Sequence, residues 1–134
     1  MKILIIDGQG GNLGRELVKL LRERLPQAEI RAVGTNSAAT ASMLKSGAHE
    51  AATGENAVVV GCRWADVIAG PIGIVISDAL LGEVTPVMAA AVGASTALRV
   101  LVPMSRCNTV VAGVPSVPTA SLIEDAVEKI AAAD

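Results

Sequence analysis

Tyrosine and phenylalanine are absent from this chain of 134 residues, and Trp64 is its only aromatic side chain. That removes the stacking platforms on which single-stranded nucleic acids are held. The 11 basic residues are scattered and the net charge is -2, so the clustered Lys and Arg of a nucleic-acid surface are missing too. Cysteine is scarce. Cys62 and Cys107 stand far apart, with no CxxC or CxxH spacing, which argues against structural zinc and for two free thiols in a cytosolic protein. His49 is the only histidine. With Glu50 beside it, His49 offers a metal or proton-transfer group. A lone histidine near a strand start reads more simply as structural or exposed, and His49, Cys62 and Cys107 together make a poor metal set, so no metal is expected. A signal-peptide pattern is also lacking, because Met1-Lys2 leads straight into a strand at Ile3. The apolar stretch from Val84 to Met104 is broken by Pro86, Arg99 and Pro103 and does not read as a membrane span. The expectation is a cytoplasmic protein without nucleic-acid or membrane partners.

What the chain has is aliphatic residues. Hydrophobic residues make up 51% and charged residues 18%. The length suits one domain over 1–134, and the apolar surplus points to a homo-oligomer. Lys2 to Asp7 is a continuous Ile-rich run, as in a strand buried on both faces of a parallel sheet. Leu13, Leu17, Leu20, Leu21 and Leu25 recur at helical spacing until Pro26. Glu29 to Gly34 reads as a second strand, and Thr35 or Asn36 as the cap of an Ala-rich helix ending before Gly47. His49 to Thr53 is a weak third strand, and Glu55 to Trp64 a helix. Asp66 to Ala69 is a fourth strand, and Ile72 to Leu81 a buried helix. Thr85-Pro86 opens a helix to about Ala94. Arg99 to Met104 is a fifth strand and Asn108 to Val114 a sixth. Ser121-Leu122-Ile123-Glu124 reads as the capping box of the last helix. The alternation predicts an α/β, three-layer Rossmann-like domain with a mostly parallel sheet of five or six strands.

The segment Asp7-Gly8-Gln9-Gly10-Gly11-Asn12-Leu13-Gly14 follows a strand and opens a helix, the context a phosphate-binding loop requires. Glycine allows the backbone to turn tightly and to approach a ligand, and the helix start offers N–H groups to an anion. Gly8, Gly11 and Gly14 fit GxxGxxG, and Gly8, Gly10 and Gly14 fit GxGxxxG. Both spacings resemble those of NADP-binding atypical short-chain dehydrogenases. An NAD site would place an acid about 20 residues past the loop, on the ribose hydroxyls. Here the region reads Arg31-Ala32-Val33-Gly34-Thr35-Asn36-Ser37, with no acid. Thr35, Asn36 and Ser37 are instead candidates for a ribose or 2′-phosphate, or simply for capping. The dehydrogenase pattern also carries a Tyr-x-x-x-Lys pair, which a chain without tyrosine cannot supply.

Ligands of open parallel sheets sit beyond the carboxyl ends of the strands. Gly70-Pro71-Ile72-Gly73 is a second glycine-bearing strand-to-helix turn, so Gly70, Pro71 and Gly73 join the candidate set, with a plain tight turn as the alternative. Arg106 next to Cys107 presents a thiol whose pKa a cation would lower. Glu55, Asp78 and Glu83 are unpaired acid/base candidates.

Taken whole, the chain resembles a bacterial family known as a domain of unknown function. The resemblance is carried by Ile6-Asp7-Gly8-Gln9-Gly10-Gly11, Gly34-Thr35-Asn36, Ala52-Thr53-Gly54-Glu55-Asn56-Ala57, Gly70-Pro71-Ile72-Gly73, Leu81-Gly82-Glu83-Val84-Thr85-Pro86 and Arg106-Cys107-Asn108. It implies a bacterial cytosolic protein and supplies no activity. The leading expectation is a protein that binds NADP or another small phosphorylated ligand. The alternatives are a small cysteine enzyme using Cys107 and Arg106, with Glu55 a further catalytic candidate, and a non-catalytic subunit.

Overall fold

Five of the apolar runs hydrogen-bond side by side, all parallel, in the order β3-β2-β1-β4-β5. The strands are β1 (Lys2–Asp7), β2 (Glu29–Gly34), β3 (Glu50–Thr53), β4 (Val67–Pro71) and β5 (Leu98–Val102). Between and after them lie the helices α1 (Asn12–Arg24), α2 (Ser37–Lys45), α3 (Glu55–Trp64), α4 (Pro86–Ala94) and α5 (Thr119–Ala132). The computed structural model describes residues 1–104 and 108–134.

The central strand explains the three layers. Side chains alternate across a strand, so Ile3 and Ile5 face one side and Leu4 and Ile6 the other. All four are essentially without exposure. Ile3 and Ile5 pack under α1, α2 and α5, against Leu17, Met43 and Ile130. Leu4 and Ile6 pack under α3 and α4, against Val58, Met88 and Val92. Crossovers therefore leave to opposite faces on either side of β1. The loops that follow β1 and β4 diverge there, which is where open α/β sheets form a crevice.

Local signals fix several boundaries. The Asn36 side chain accepts from Ala39 N at 2.9 Å and caps α2, and Thr85 Oγ1 accepts from Met88 N at 3.1 Å to cap α4. Each cap satisfies an amide that a helix start leaves unpaired. No helix among the described residues is long and apolar enough to cross a membrane.

Three expectations are corrected. Ile72 to Leu81 is no buried helix: one 3-10 turn covers Ile72–Val75, and a loop follows. Asp78, Leu80 and Leu81 take left-handed backbone conformations (φ 66, 56 and 57), and Leu81 is 96% exposed. Only Ile74, Ala79 and Leu80 of this segment are buried in the core, so its apolar composition does not describe one helical face. No strand forms over 108–114; Val110 is exposed there and Gly113 turns at φ 83, leaving β5 at the sheet edge. Finally, α5 begins at Thr119 with Pro118 before it, which puts Ser121 inside the first turn, its amide bonded to Pro118 O.

Candidate functional site

The loop between β1 and α1 is built by two left-handed residues. Gln9 (φ 50) and Gly11 (φ 73) turn the chain, and Gly11 N closes on Gly8 O at 2.9 Å. Gly11 must be glycine, because a Cβ there would stand 2.9 Å from the Ala39 Cα and 3.0 Å from its carbonyl oxygen. The first turn of α1 has no side-chain cap.

Two carboxylates take part of the loop's amides. Asp7, 5% exposed, accepts Gly8 N on Oδ1 and Gly14 N on Oδ2, both at 2.7 Å. Burial pushes its pKa up, against the two amide bonds, and the nearby Glu83 charge pushes it further up. Glu83 reaches in from the loop before α4, and its Oε1 accepts from Gln9 N at 2.8 Å, Thr35 Oγ1 at 2.7 Å and Asn36 Nδ2 at 2.7 Å. Burial alone would raise the Glu83 pKa, but these three bonds together outweigh it and hold the pKa below the usual range. Among the described residues, no acceptor faces the amides of Gly10, Asn12 and Leu13.

Those three residues line a cleft of about 500 Å³. Its floor is the loop itself, from Asp7 to Leu13, and its walls come from α1 (Arg15, Glu16, Leu20) and from α5 (Thr119, Ala120, Ile123, Glu124), with Leu80 and Met104 beside them. Two helices thus present their first turns to the same space, and a helix start carries partial positive charge. Leucine, methionine and isoleucine make the rest of the wall apolar.

The family model described as "Domain of unknown function (DUF3842)" matches residues 2–134. The chain belongs to the DUF3842 family. No curated protein matches it in sequence. Among solved structures, the DUF3842 chain is similar to a dodecameric FMN-dependent UbiX-like decarboxylase from Escherichia coli O157:H7. The two are 18% identical, the match covers 98% of this chain and 76% of that one, and the TM-score is 0.47. At that score the likeness carries no argument about ligand or assembly.

The other candidate residues of the DUF3842 chain are dispersed. Gly14 is buried behind the loop, held by Asp7. Thr35 and Asn36 adjoin the loop but are engaged by Glu83 and do not line the cleft. Gly70, Pro71 and Gly73 are buried at and just past the end of β4 and do not line it either. A Cβ on Gly70 would lie 2.2 Å from the Ile6 carbonyl oxygen, so this glycine serves the close approach of β4 to β1. Glu55, the first residue of α3, accepts the Thr85 hydroxyl at 2.7 Å. His49 receives Ile30 N and faces Arg22, at the amino-terminal end of the parallel strands, the end of the sheet opposite the loop. Arg106 and Cys107 lie outside the described residues. No group of three or more metal-ligating side chains occurs among the described residues.

Sequence reasoning missed the α5 wall and Leu80, whereas Met104 falls in the stretch after β5 that lies beyond the strands' carboxyl ends. Nothing local in Thr119, Ala120, Ile123 or Glu124 marks them as neighbours of residue 10.

Proposed function

We propose that this protein binds a small phosphorylated ligand of the nucleotide type, with a phosphate on the glycine-rich loop and the body of the ligand along the α1–α5 wall. The observation that carries this reading is the set of three amides, Gly10, Asn12 and Leu13, which no acceptor among the described residues takes and whose residues line the cleft. Unpaired amides at a helix start are a general anion site, and an apolar wall with a few convergent polar groups is the usual form of a small-molecule site.

The ligand's phosphate sits on those amides, with Arg15 the one cation among the described residues that line the cleft. NADP belongs to this class. Its support is the spacing of Gly8, Gly11 and Gly14, while Thr35 and Asn36, the candidates for its 2′-phosphate, are already bonded to a carboxylate. A thermal-shift and calorimetry panel of inorganic phosphate, AMP, FMN, NAD, NADP and sugar phosphates tests the reading. Saturable stabilisation by at least one phosphorylated compound, and none by its dephosphorylated counterpart, is the expected outcome. No stabilisation across the panel overturns it.

The protein also acts as a homo-oligomer in this proposal, supported by aliphatic side chains left outside: Leu98 on the edge strand, and Val110 and Val117 before α5. Light scattering on a size-exclusion column gives the mass, and a clean monomer at micromolar concentration contradicts it.

A further inference from the structure

We propose that Glu83 sets which phosphorylated ligands the loop accepts, by filling a second anion position with its own carboxylate beside the one left open. This rests on the phosphate reading of the loop given above.

Three donors of different kinds converge on the single oxygen Glu83 Oε1: a main-chain amide, a hydroxyl and a side-chain amide. That is the donor set a phosphate oxygen takes in a phosphate-binding loop. The donors are themselves fixed. Asn36 Nδ2 also donates to Gln9 O at 2.9 Å, and its Oδ1 caps α2. Gln9 and Gly10 are consecutive residues of the loop: the Gln9 amide is taken by Glu83, and the Gly10 amide has no acceptor among the described residues.

The shape of the loop that delivers Glu83 is an independent observation. Leu80 and Leu81 both hold left-handed backbone, which bulky side chains avoid. The side chain of Leu81 is almost wholly in solvent, so packing does not explain its conformation. The loop is closed by Asp78 N to Val84 O at 2.8 Å and Val84 N to Ala79 O at 3.1 Å, and it is tied to α3 through Thr85 and Glu55. Strained backbone held in place this way marks a position with a task, and the residue it places is Glu83.

A second phosphate next to the first would meet the Glu83 charge and would have to displace it from all three donors. Glu83 stands behind the loop rather than in the cleft wall, and among the described lining residues Asp7, Glu16 and Glu124 are acidic and Arg15 is basic. The ligand class that fits is a single phosphate or phosphate monoester. Diphosphates, and ribose carrying a 2′-phosphate at Thr35 and Asn36, are disfavoured.

Calorimetric titration of inorganic phosphate and inorganic pyrophosphate into the wild type and Glu83→Ala is the test. The wild type is expected to bind one phosphate per chain and to prefer it to pyrophosphate. Glu83→Ala is expected to gain about tenfold or more in pyrophosphate affinity, while phosphate affinity at the first position changes far less. A parallel change for the two anions, or no pyrophosphate gain, overturns the role of Glu83 and leaves the phosphate reading standing. Failure of either protein to bind either anion overturns both. Should Glu83→Ala not fold, Glu83→Gln keeps the shape and removes the charge; a shift towards pyrophosphate supports the proposal, and an unchanged preference overturns it.

Discussion

Replacing Gly11 by alanine isolates the geometry on which the loop depends. Gly11 holds φ 73, and left-handed backbone costs an ordinary L-residue about 1–2 kcal/mol. The new methyl would also lie 2.9 Å from the Ala39 Cα and 3.0 Å from its carbonyl oxygen, backbone atoms that cannot swing aside. Overpacking of that kind adds about 1–3 kcal/mol. The expected destabilisation is therefore about 2–5 kcal/mol, a large part of the roughly 5–15 kcal/mol that holds a domain of this size. Gly10→Ala is the matched control. It changes the same loop by the same methyl, but that methyl meets nothing nearer than 3.7 Å, the Asn12 side chain. Its effect should stay within about 1 kcal/mol of zero, since a compatible Gly-to-Ala change also restricts the unfolded chain. Urea unfolding followed by the fluorescence of Trp64, the only tryptophan, measures both. If Gly11→Ala falls within 1 kcal/mol of the wild type, or Gly10→Ala loses as much as Gly11→Ala, the loop geometry described here is wrong.

Other outcomes follow from the buried groups. The folded-state pKa of Asp7 lies above its ordinary 3.8, so the native state holds that proton more tightly than the unfolded chain. The stability Asp7 contributes is then full below that value and is lost as pH rises through the folded pKa. Asp7→Asn removes this titration; urea midpoints measured from acid to neutral pH should show the wild type losing ground to the variant as pH rises, and the opposite slope contradicts the burial argument. Cys62 is buried and its thiol pushed up to about 11, so iodoacetamide should modify it slowly in the folded protein and quickly in urea. Mass mapping of the same reaction reads Cys107 separately: a fast, low-pKa Cys107 would support a cysteine enzyme, and a rate like that of a free thiol would dismiss it. Glu83 has its pKa lowered, so what its three bonds contribute is present at neutral pH and lost as pH falls through the folded value; Glu83→Gln should flatten that acid-side loss, and an unchanged acid profile counts against it.

Much of the fold could be read from local signals. The run Lys2 to Asp7 is apolar at every position after Lys2 until Asp7, and only a strand covered on both faces buries such a run. The caps at Asn36 and Thr85-Pro86 are where the sequence puts them, because capping chemistry involves residues only three apart. The failures share a cause as well. Ile72 to Leu81 has helical composition, but it forms a 3-10 turn and a loop with left-handed residues, next to a Glu83 whose partner Gln9 lies 74 positions away and is invisible to local pattern. Ser121 and Glu124 have the spacing of a capping box, yet α5 starts earlier, at Thr119.

The site was legible in the same uneven way. The glycine pattern places a turn at Gly8 to Gly11 ahead of a helix. It does not say which amides stay unpaired, since that depends on Asp7 folding back on Gly8 and Gly14 and on Glu83 arriving from the far side of β4. The acid that the region after β2 lacks in sequence is supplied in space by Glu83, beside Thr35 and Asn36.

Amide chemical shifts during a titration with inorganic phosphate test the central claim most directly. The account predicts saturable downfield movement of the Gly10, Asn12 and Leu13 amide protons, with Gly8, Gln9 and Gly14, whose amides are already bonded to carboxylates, moving far less. Shifts scattered over the surface, or none in the loop at saturating phosphate, would contradict it.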